Sequence, residues 1–472
     1  MHKIFRNFLS TGFASLIGQL MTFLVTAYYA NIIGTSKFGE ITLAQNIWLY
    51  FSMVVLFGIS TYGTRLVTSN KREVKKYMRG ALSFRILLSI LCFVCIILVA
   101  LLSGKDNSFK TVLIIFGLSL FPTALNIDWI YNGLEEMQHN AVYVILKNIV
   151  PCVIIYIFFR GNYSLNLIPA AFLIGLICAA LYHLMMLYIR EGIAFKPTFD
   201  KKELHGYFNG GLPFLISGLL AMINGNADKV IMGFSIDTSE LGIYMAAYTF
   251  INFLISFSSL IFTPFFPSMI KAFNDKEMEK LKGLTTSLSK IIIMLVLPIT
   301  FGGIILSKDI IMFFFKRQEY ARGYIPFCIL LIYIFTLYLR EIFAYQMNAF
   351  RMEKKYMKIV FFSASANLIL NIILIPHYGM IAAAAVTFLT EFINFYFMRY
   401  YAFRVLQTPI LANIAKAFVP TVIMSLWVVT LKYFNINILI NISSAVVIYF
   451  VMLMIFKLLD RDKITALILK RS

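Results

Sequence analysis

Long apolar runs separated by short polar connections dominate the sequence. Each run reaches roughly 20 residues or more, the length that an α-helix needs to cross the hydrocarbon core of a bilayer. The runs are too long for barrel strands and lack their alternation of apolar and polar residues. The pattern therefore predicts an all-α polytopic membrane protein with about 14 transmembrane helices. The predicted spans are 8–33, 41–66, 81–103, 111–132, 140–159, 165–189, 209–234, 242–270, 284–307, 324–347, 356–376, 379–400, 409–434 and 437–457.

One segment occurs twice. I-G-T-S-K-F-G-E-I-T-L-A at 33–44 returns as I-D-T-S-E-L-G-I-Y-M-A-A at 236–247. In both copies the polar residues stand between two apolar runs, so each copy predicts a helix, a tight turn with glycine at its exit, and a second helix. Internal duplication of a hydrophobic unit is typical of transporters. The residues that match at one constant offset are Ile33, Thr35, Ser36, Gly39 and Ala44 in the first copy and Ile236, Thr238, Ser239, Gly242 and Ala247 in the second.

The composition agrees with a membrane protein. The chain is 60% hydrophobic and only 14% charged, and a water-soluble globule of 472 residues cannot bury that much apolar side chain. The net charge of +20 raises the question of nucleic-acid binding. A basic excess in short loops between apolar spans is typical of the positive-inside rule instead, so we expect no nucleic-acid partner.

Lysine and arginine concentrate in the even-numbered connections. The odd-numbered connections at 34–40, 236–241 and 377–378 carry almost none. The positive-inside rule then places both termini in the cytoplasm. The segment 308–323 is an exception and predicts a short amphipathic piece on the outer surface. The basic residues of the even connections include Arg65, Lys71, Arg72, Lys75, Lys76, Arg79, Arg190, Lys196, Lys201, Lys202, Lys271, Lys276, Lys280, Lys282, Arg351, Lys354, Lys355 and Lys358.

The longest soluble connection divides the chain. Residues 191–208 mix aromatic and charged side chains and predict an amphipathic linker in the headgroup region. We therefore predict an N-terminal lobe at 1–190 with six spans and a C-terminal lobe at 209–403 with six more. Residues 404–472 add two helices and a basic cytoplasmic tail.

Polar residues recur at helical spacing within three of the spans. Residues three or four apart share one face of a helix, so each set forms a stripe. Small and hydroxyl residues also let membrane helices pack closely, which is the alternative to a hydrated cavity. Recurrence in both halves favours the cavity. The stripes are Ser15, Gln19, Thr22 and Thr26; Ser217, Ala221, Asn224 and Asp228; and Thr249, Asn252, Ser256 and Ser259.

Ionisable residues inside the spans are costly unless they are paired or hydrated, so they mark candidate sites. Closed ion pairs or side chains that reach the headgroups are the alternatives. Cations outnumber carboxylates, which suits an anionic cargo. No catalytic or metal-binding pattern and no Walker loop occurs, so we expect a non-enzyme without cofactor or metal. The cations are Arg85, Lys147, Lys229, Lys290, Arg340 and Lys416, and the carboxylates are Asp128, Asp228, Glu341 and Glu391.

Several motifs resemble those of polysaccharide repeat-unit flippases of the Wzx type. These flippases belong to the MATE-like superfamily of multidrug, oligosaccharidyl-lipid and polysaccharide exporters. The resemblance implies two lobes in a V around a central cavity, and a multi-pass protein of the bacterial cytoplasmic (inner) membrane. The motifs are A-N-I-I-G-T-S-K-F-G-E-I-T-L-A (30–44), N-A-D-K-V-I-M-G (226–233), L-G-I-Y-M-A-A-Y (241–248), P-F-F-P-S (264–268), E-Y-A-R-G-Y (319–324) and N-L-I-L-N-I-I-L-I-P-H-Y-G-M-I-A-A-A (367–384).

The resemblance implies a cargo of undecaprenyl-diphosphate-linked oligosaccharide, turned from the cytoplasmic to the outer leaflet for O-antigen or capsule synthesis. A polysaccharide polymerase and a chain-length regulator are possible partners, with H⁺ or Na⁺ as a possible coupling ion. The alternatives are a lipid-linked peptidoglycan-precursor flippase, a cation-coupled multidrug antiporter, and a polyprenyl-dependent polymerase or glycosyltransferase. The last class needs a large outer loop or an acidic motif there, and neither is present.

The charged and polar span residues receive roles in this hypothesis. We expect Arg340 to make the leading phosphate contact, because a guanidinium binds phosphate through two parallel hydrogen bonds. The other cavity cations are Lys147, Lys416, Arg85 and Lys290. Asn224 and Asn252 are expected to provide a hydrated, hydrogen-bonding surface for the sugar. Glu341 and Glu391, with Asp128 and Asp228, are expected to form ion pairs or carry a coupling proton.

The predicted topology is testable with reporter fusions. Reporters fused after Lys76, Lys201 or Lys280 should report the cytoplasm, because these residues lie in basic even-numbered connections. Fusions near Lys37, Lys105 or Ser239 should report the outside. A periplasmic signal after Lys280 would contradict the map of 14 spans.

Overall fold

The computed structural model describes residues 2–160, 164–193, 196–198, 200–262 and 264–458, and this part of the chain is helical without strands. Two short 3-10 helices at Lys71–Glu73 and Gln318–Gly323 accompany the α-helices. The α-helices are α1 (His2–Leu56), α2 (Ile59–Ser69), α3 (Val74–Leu102), α4 (Asn107–Leu118), α5 (Leu120–Ala124), α6 (Asp128–Gly133), α7 (Gln138–Phe158), α8 (Leu167–Glu191), α9 (Lys201–Ser235), α10 (Thr238–Phe262), α11 (Phe266–Asn274), α12 (Met278–Ile305), α13 (Ser307–Phe314), α14 (Tyr324–Ala349), α15 (Glu353–Phe403), α16 (Ile410–Tyr433) and α17 (Ile438–Ile455).

The helices account for the predicted spans. Within the described ranges, 12 helical segments are long and apolar enough to cross a membrane. Two of them, Ala14–Ser69 and Glu353–Phe403, each hold two predicted spans, and non-helical glycines divide them at Gly34 and Gly379. Counting both halves of these two segments gives 14 crossings, so the predicted fold class is confirmed.

The turns of the repeated segment differ from the prediction. Gly34 carries the first turn, with φ of 81°, a left-handed value that favours glycine. At the matching position of the second copy, Asp237 caps the start of α10 by accepting a hydrogen bond from the backbone N–H of Ser239 at 2.9 Å. Gly39 and Gly242, predicted to end the turns, lie inside helices instead.

Gly39 and Gly242 bring the two copies into direct contact. A Cβ atom on Gly39 would overlap the carbonyl oxygen of Thr238, and one on Gly242 would overlap that of Thr35. The hydroxyls beside them pair across the contact, with Thr35 Oγ1 2.7 Å from Ser239 Oγ and Ser36 Oγ 3.3 Å from Thr238 Oγ1. The contact is therefore reciprocal, as expected when two related helix pairs meet about a local two-fold axis.

The chain forms two compact units. One comprises Met1–Leu260 with Ala364–Ala383, and the other comprises Ile261–Ser363 with Ala384–Ser472. We call them unit 1 and unit 2. The paired repeat segments both belong to unit 1. The division into lobes at 1–190 and 209–403 stays a prediction.

Two connections have their own helical structure. Residues 201–208, predicted as part of a linker, are the first two turns of α9, which Asp200 caps through the backbone N–H of Lys202 at 2.9 Å. The seventh span therefore begins in the connection itself. The basic segment 308–323 contains most of α13 and the 3-10 helix Gln318–Gly323, and its place on the outer surface stays a prediction.

The glycine contact predicts a specific sensitivity to alanine. Gly39→Ala and Gly242→Ala should each lower the free energy of unfolding by about 1–3 kcal/mol, because the added methyl group meets rigid backbone. Thermal unfolding in detergent measures the effect. Gly225→Ala is a matched control, because Gly225 is helical, belongs to unit 1, and has open space where a Cβ would lie. Equal stability of all three variants would contradict the contact.

Candidate functional site

A polar cavity lies within unit 1, with a volume of about 100 Å³. Its walls come from both segments of α1, on either side of Gly34, and from α10. Phe38 and Thr42, which lie on either side of Gly39, belong to the wall, so the cavity begins next to the glycine contact. The polar lining residues are Gln19, Thr22, Thr26, Thr42, Gln45, Thr249 and Asn252.

The threonines present mainly acceptor oxygens to the cavity. Thr22, Thr42 and Thr249 donate their hydroxyl hydrogens to carbonyls of their own helices, at 2.9, 3.0 and 2.7 Å. Their lone pairs remain available to a guest, because each hydroxyl oxygen can also accept. Membrane helices commonly satisfy hydroxyl groups in this way.

Three amides supply both donors and acceptors. Gln19, Gln45 and Asn252 line the cavity and make no hydrogen bond to any other residue that the structure describes. Gln19 and Asn252 are exposed and Gln45 is half-buried. The cavity therefore offers unpaired amide groups near its mouth, where a polar guest or water can reach them.

Two of the three predicted stripes meet in this cavity. Gln19, Thr22 and Thr26 come from the first stripe, and Thr249 and Asn252 come from the third. The second stripe does not contribute, and Asn224 is not among the lining residues. Sequence analysis missed Thr42 and Gln45, although both follow Gly39 at steps of three residues and thus continue its helix face.

In unit 2, Arg340 is held between two carboxylates. Its Nη1 lies 2.9 Å from Glu341 Oε1 and its Nε lies 2.7 Å from Glu391 Oε1. Asn394 adds a hydrogen bond to the other oxygen of Glu391 at 3.4 Å. We call Arg340, Glu341 and Glu391 the triad. Glu341 and Glu391 thus form ion pairs with Arg340, one of the two roles expected for them, and one guanidinium with two carboxylates gives the triad a formal charge of −1.

Arg85 stabilises a break in the fourth span. Helix α5 ends at Ala124 and α6 begins at Asp128, which leaves carbonyls without helical partners. Fully buried Arg85 donates from Nη1 to the carbonyl oxygen of Asn126 at 2.6 Å. Its Nη2 reaches Ser60 Oγ at 3.5 Å, and Ser60 in turn donates to Asp128 at 3.3 Å. Both terminal nitrogens of the guanidinium are thus bonded within the protein, whereas the buried Nε has no hydrogen-bond partner among the described residues.

Asp228 and Lys229 are buried and bonded between α9 and α10. Tyr244 donates to Asp228 Oδ2 at 2.6 Å. The Lys229 ammonium donates to the carbonyl of Gly225 at 2.7 Å and lies 3.7 Å above the ring centre of Tyr248. Because both charges are enclosed by neighbouring groups, this pair serves the packing of the two helices.

The remaining predicted cations are Lys147, Lys290 and Lys416. None of the three makes a hydrogen bond or an ion pair with other described residues. Lys147 and Lys290 are half-buried, whereas Lys416 is exposed. These ammonium groups therefore remain available to an anion.

Comparison with known proteins gives a family and a curated relative. A sequence model of the family described as "Polysaccharide biosynthesis protein" matches residues 4–273. A curated protein of Shigella dysenteriae, named "Putative O-antigen transporter", is 23% identical over 235 residues. That alignment covers 45% of this chain and 59% of the relative, so the chain spans a little over half the length of that protein.

Solved structures share the fold. The chain superposes on the lipid II flippase MurJ in an inward closed conformation with a TM-score of 0.73, at 18% identity, covering 98% of this chain and 100% of that one. An inward-facing multidrug resistance MATE family transporter of the MOP superfamily gives a TM-score of 0.56 at 13% identity, covering 84% and 94%. At these identities the likeness establishes the fold alone.

The triad predicts a strong dependence of stability on its charge balance. Arg340→Gln should lower the free energy of unfolding by about 3–5 kcal/mol, because two carboxylates lose their cation in a poorly hydrated site. Combining it with Glu341→Gln and Glu391→Gln should restore most of the loss. Thermal unfolding in detergent measures both.

Lys416→Gln is the control for this experiment, because Lys416 is exposed and should change the stability by no more than about 0.5 kcal/mol. A triple variant no more stable than Arg340→Gln alone would show that the charge balance does not govern stability.

Proposed function

The chain belongs to the polysaccharide biosynthesis protein family, and from this membership we propose that it is a flippase for lipid-linked oligosaccharides. The cargo is an undecaprenyl-diphosphate-linked repeat unit, turned from the cytoplasmic to the outer leaflet of the bacterial inner membrane by alternating access. The observation that carries the proposal is the polar cavity of unit 1, where the exposed residues Gln19 and Asn252 place unpaired amide groups within a bundle of long apolar helices. The translocated repeat unit is then used to build a surface polysaccharide, either O-antigen or capsule.

The physical problem of such a cargo lies in its headgroup. The polyprenyl tail can remain in the lipid throughout, whereas the sugar hydroxyls lose their hydrogen bonds to water on crossing. An unmade hydrogen bond at a buried polar group costs about 1–3 kcal/mol. A cavity with unpaired amides and acceptor hydroxyls replaces those bonds and lowers the barrier. Such a cavity can assist transport of the cargo without any change in its covalent bonds.

The diphosphate needs cations that are free to bind it. Arg340 meets phosphate only after Glu341 or Glu391 has moved away or taken up a proton, and Arg85 is engaged by Asn126. We therefore assign the phosphate contact first to Lys147, which belongs to the same unit as the polar cavity. Each charge-assisted hydrogen bond would contribute about 1.5–3 kcal/mol.

The triad suits a coupling ion. Its excess carboxylate attracts a proton or Na⁺, so Glu341 and Glu391 are the groups that we assign to coupling. The same excess of negative charge favours a second candidate function, the export of cationic compounds by a multidrug antiporter. A polysaccharide polymerase and a chain-length regulator are the protein partners that the first function implies.

Deletion of the gene tests the two functions against each other. A flippase mutant should accumulate lipid-linked repeat units in the inner leaflet and lose surface polysaccharide, because synthesis on the cytoplasmic side continues. Radiolabelled lipid-linked sugars and surface polysaccharide measure this result, and complementation with the intact gene is the control. Normal surface polysaccharide together with sensitivity to cationic dyes would favour the antiporter.

A further inference from the structure

We propose that the cavity of unit 1 binds one uncharged sugar of the cargo, a ring with hydroxyl or acetamido groups, and discriminates against uronic acids and free amino sugars. This inference rests on the proposed function and adds a substrate class to it. The cavity is the one lined by Gln19, Thr22, Thr26, Gln45, Thr249 and Asn252, among others.

Charge is the first argument. The residues that line the cavity, all within the described part of the chain, include no Asp, Glu, Lys, Arg or His. A carboxylate or ammonium group of a sugar would lose hydration there without gaining an opposite charge, which is a large cost. The cavity therefore discriminates against charged sugars because their charge finds no partner there, and not because a neutral sugar makes a stronger contact.

Hydrogen-bonding capacity is the second argument. A sugar hydroxyl both donates and accepts, and an acetamido group has one N–H and one carbonyl. The unpaired amides of Gln19, Gln45 and Asn252 offer the matching donors and acceptors. Thr22 and Thr249 add acceptor oxygens, since their hydrogens point to backbone carbonyls. The set is complementary to a neutral polyol.

Size is the third argument. A volume of about 100 Å³ is well below the ~300–1,000 Å³ of pockets that enclose drug-sized ligands. The glycine contact next to Phe38 and Thr42 limits any extension in that direction. The cavity therefore accepts a single ring, and the rest of an oligosaccharide lies beyond its mouth at Gln19 and Asn252.

Binding of three defined lipids tests the inference with the purified full chain in lipid nanodiscs. The probes are undecaprenyl diphosphate alone, the same lipid carrying N-acetylglucosamine, and the same lipid carrying glucuronic acid. The N-acetylglucosamine lipid should bind about tenfold more tightly than the bare lipid, the effect of about two net hydrogen bonds. The glucuronic acid lipid should bind no more tightly than the bare lipid.

Two variants locate the effect in the cavity. Gln19→Leu combined with Asn252→Leu should remove the tenfold gain for the N-acetylglucosamine lipid and leave the affinity for the bare lipid unchanged. Asn252→Arg should shift the preference toward the glucuronic acid lipid, a gain that a misfolded protein cannot show. Ser217→Leu is the matched control, because Ser217 is an exposed polar residue of unit 1 outside the cavity.

The outcomes separate this inference from the proposed function. Equal affinity for the three lipids, or an unchanged tenfold gain in the double leucine variant, would overturn the sugar site while the flippase function stands. In that case the cavity holds only water. Failure of all three lipids to bind would overturn the proposed function and the sugar site together.

Discussion

The backbone contact between Gly39 and Gly242 is the constraint on which unit 1 depends. Any side chain at either position would overlap the carbonyl oxygen of Thr238 or Thr35, so the approach of the two helix pairs requires glycine. Small residues are the general means of close helix approach in a membrane, where apolar side chains gain little by leaving lipid for protein. The approach also brings the hydroxyls of Thr35 and Ser239 to 2.7 Å and sets one end of the polar cavity.

Polar groups within the spans fall into two kinds. Most are satisfied inside the protein: Thr42 bonds its own helix, Arg85 fills the break before α6, and Tyr244 donates to Asp228. The amides of the cavity are different, because they find no partner among the described residues. An unsatisfied polar group in a membrane protein is costly unless water or a guest reaches it, so the exposure of Gln19 and Asn252 is what makes their unpaired amides tolerable.

The sequence predicts what depends on local order along the chain. Span length and spacing suffice for the helices and for the stripes of α1 and α10, because a helix turns by a fixed angle per residue. Contacts between residues that are far apart in the sequence cannot be predicted in this way. An ion pair is expected for Glu391, but spacing along the chain does not identify Arg340, 51 residues away, as its partner, and the break that engages Arg85 lies within an apolar run. The turn was misplaced for a related reason: Gly34 and Gly39 are both compatible with a turn, and only the contact with the second copy reveals which of them packs inside a helix.

For the cargo that we propose, the two units offer different chemical environments. A lipid-linked sugar has a neutral head, an anionic link and an apolar tail, and no single environment suits all three. Unit 1 contains an uncharged cavity together with Lys147, whereas unit 2 contains the triad with its excess carboxylate together with Lys290 and Lys416. If the triad takes up a proton, its formal charge rises from −1 to zero and the attraction of its carboxylates for Arg340 weakens. Phosphate binding at the released Arg340 and proton binding at the triad would then favour each other. Linkage requires this when each ligand stabilises the state that the other prefers.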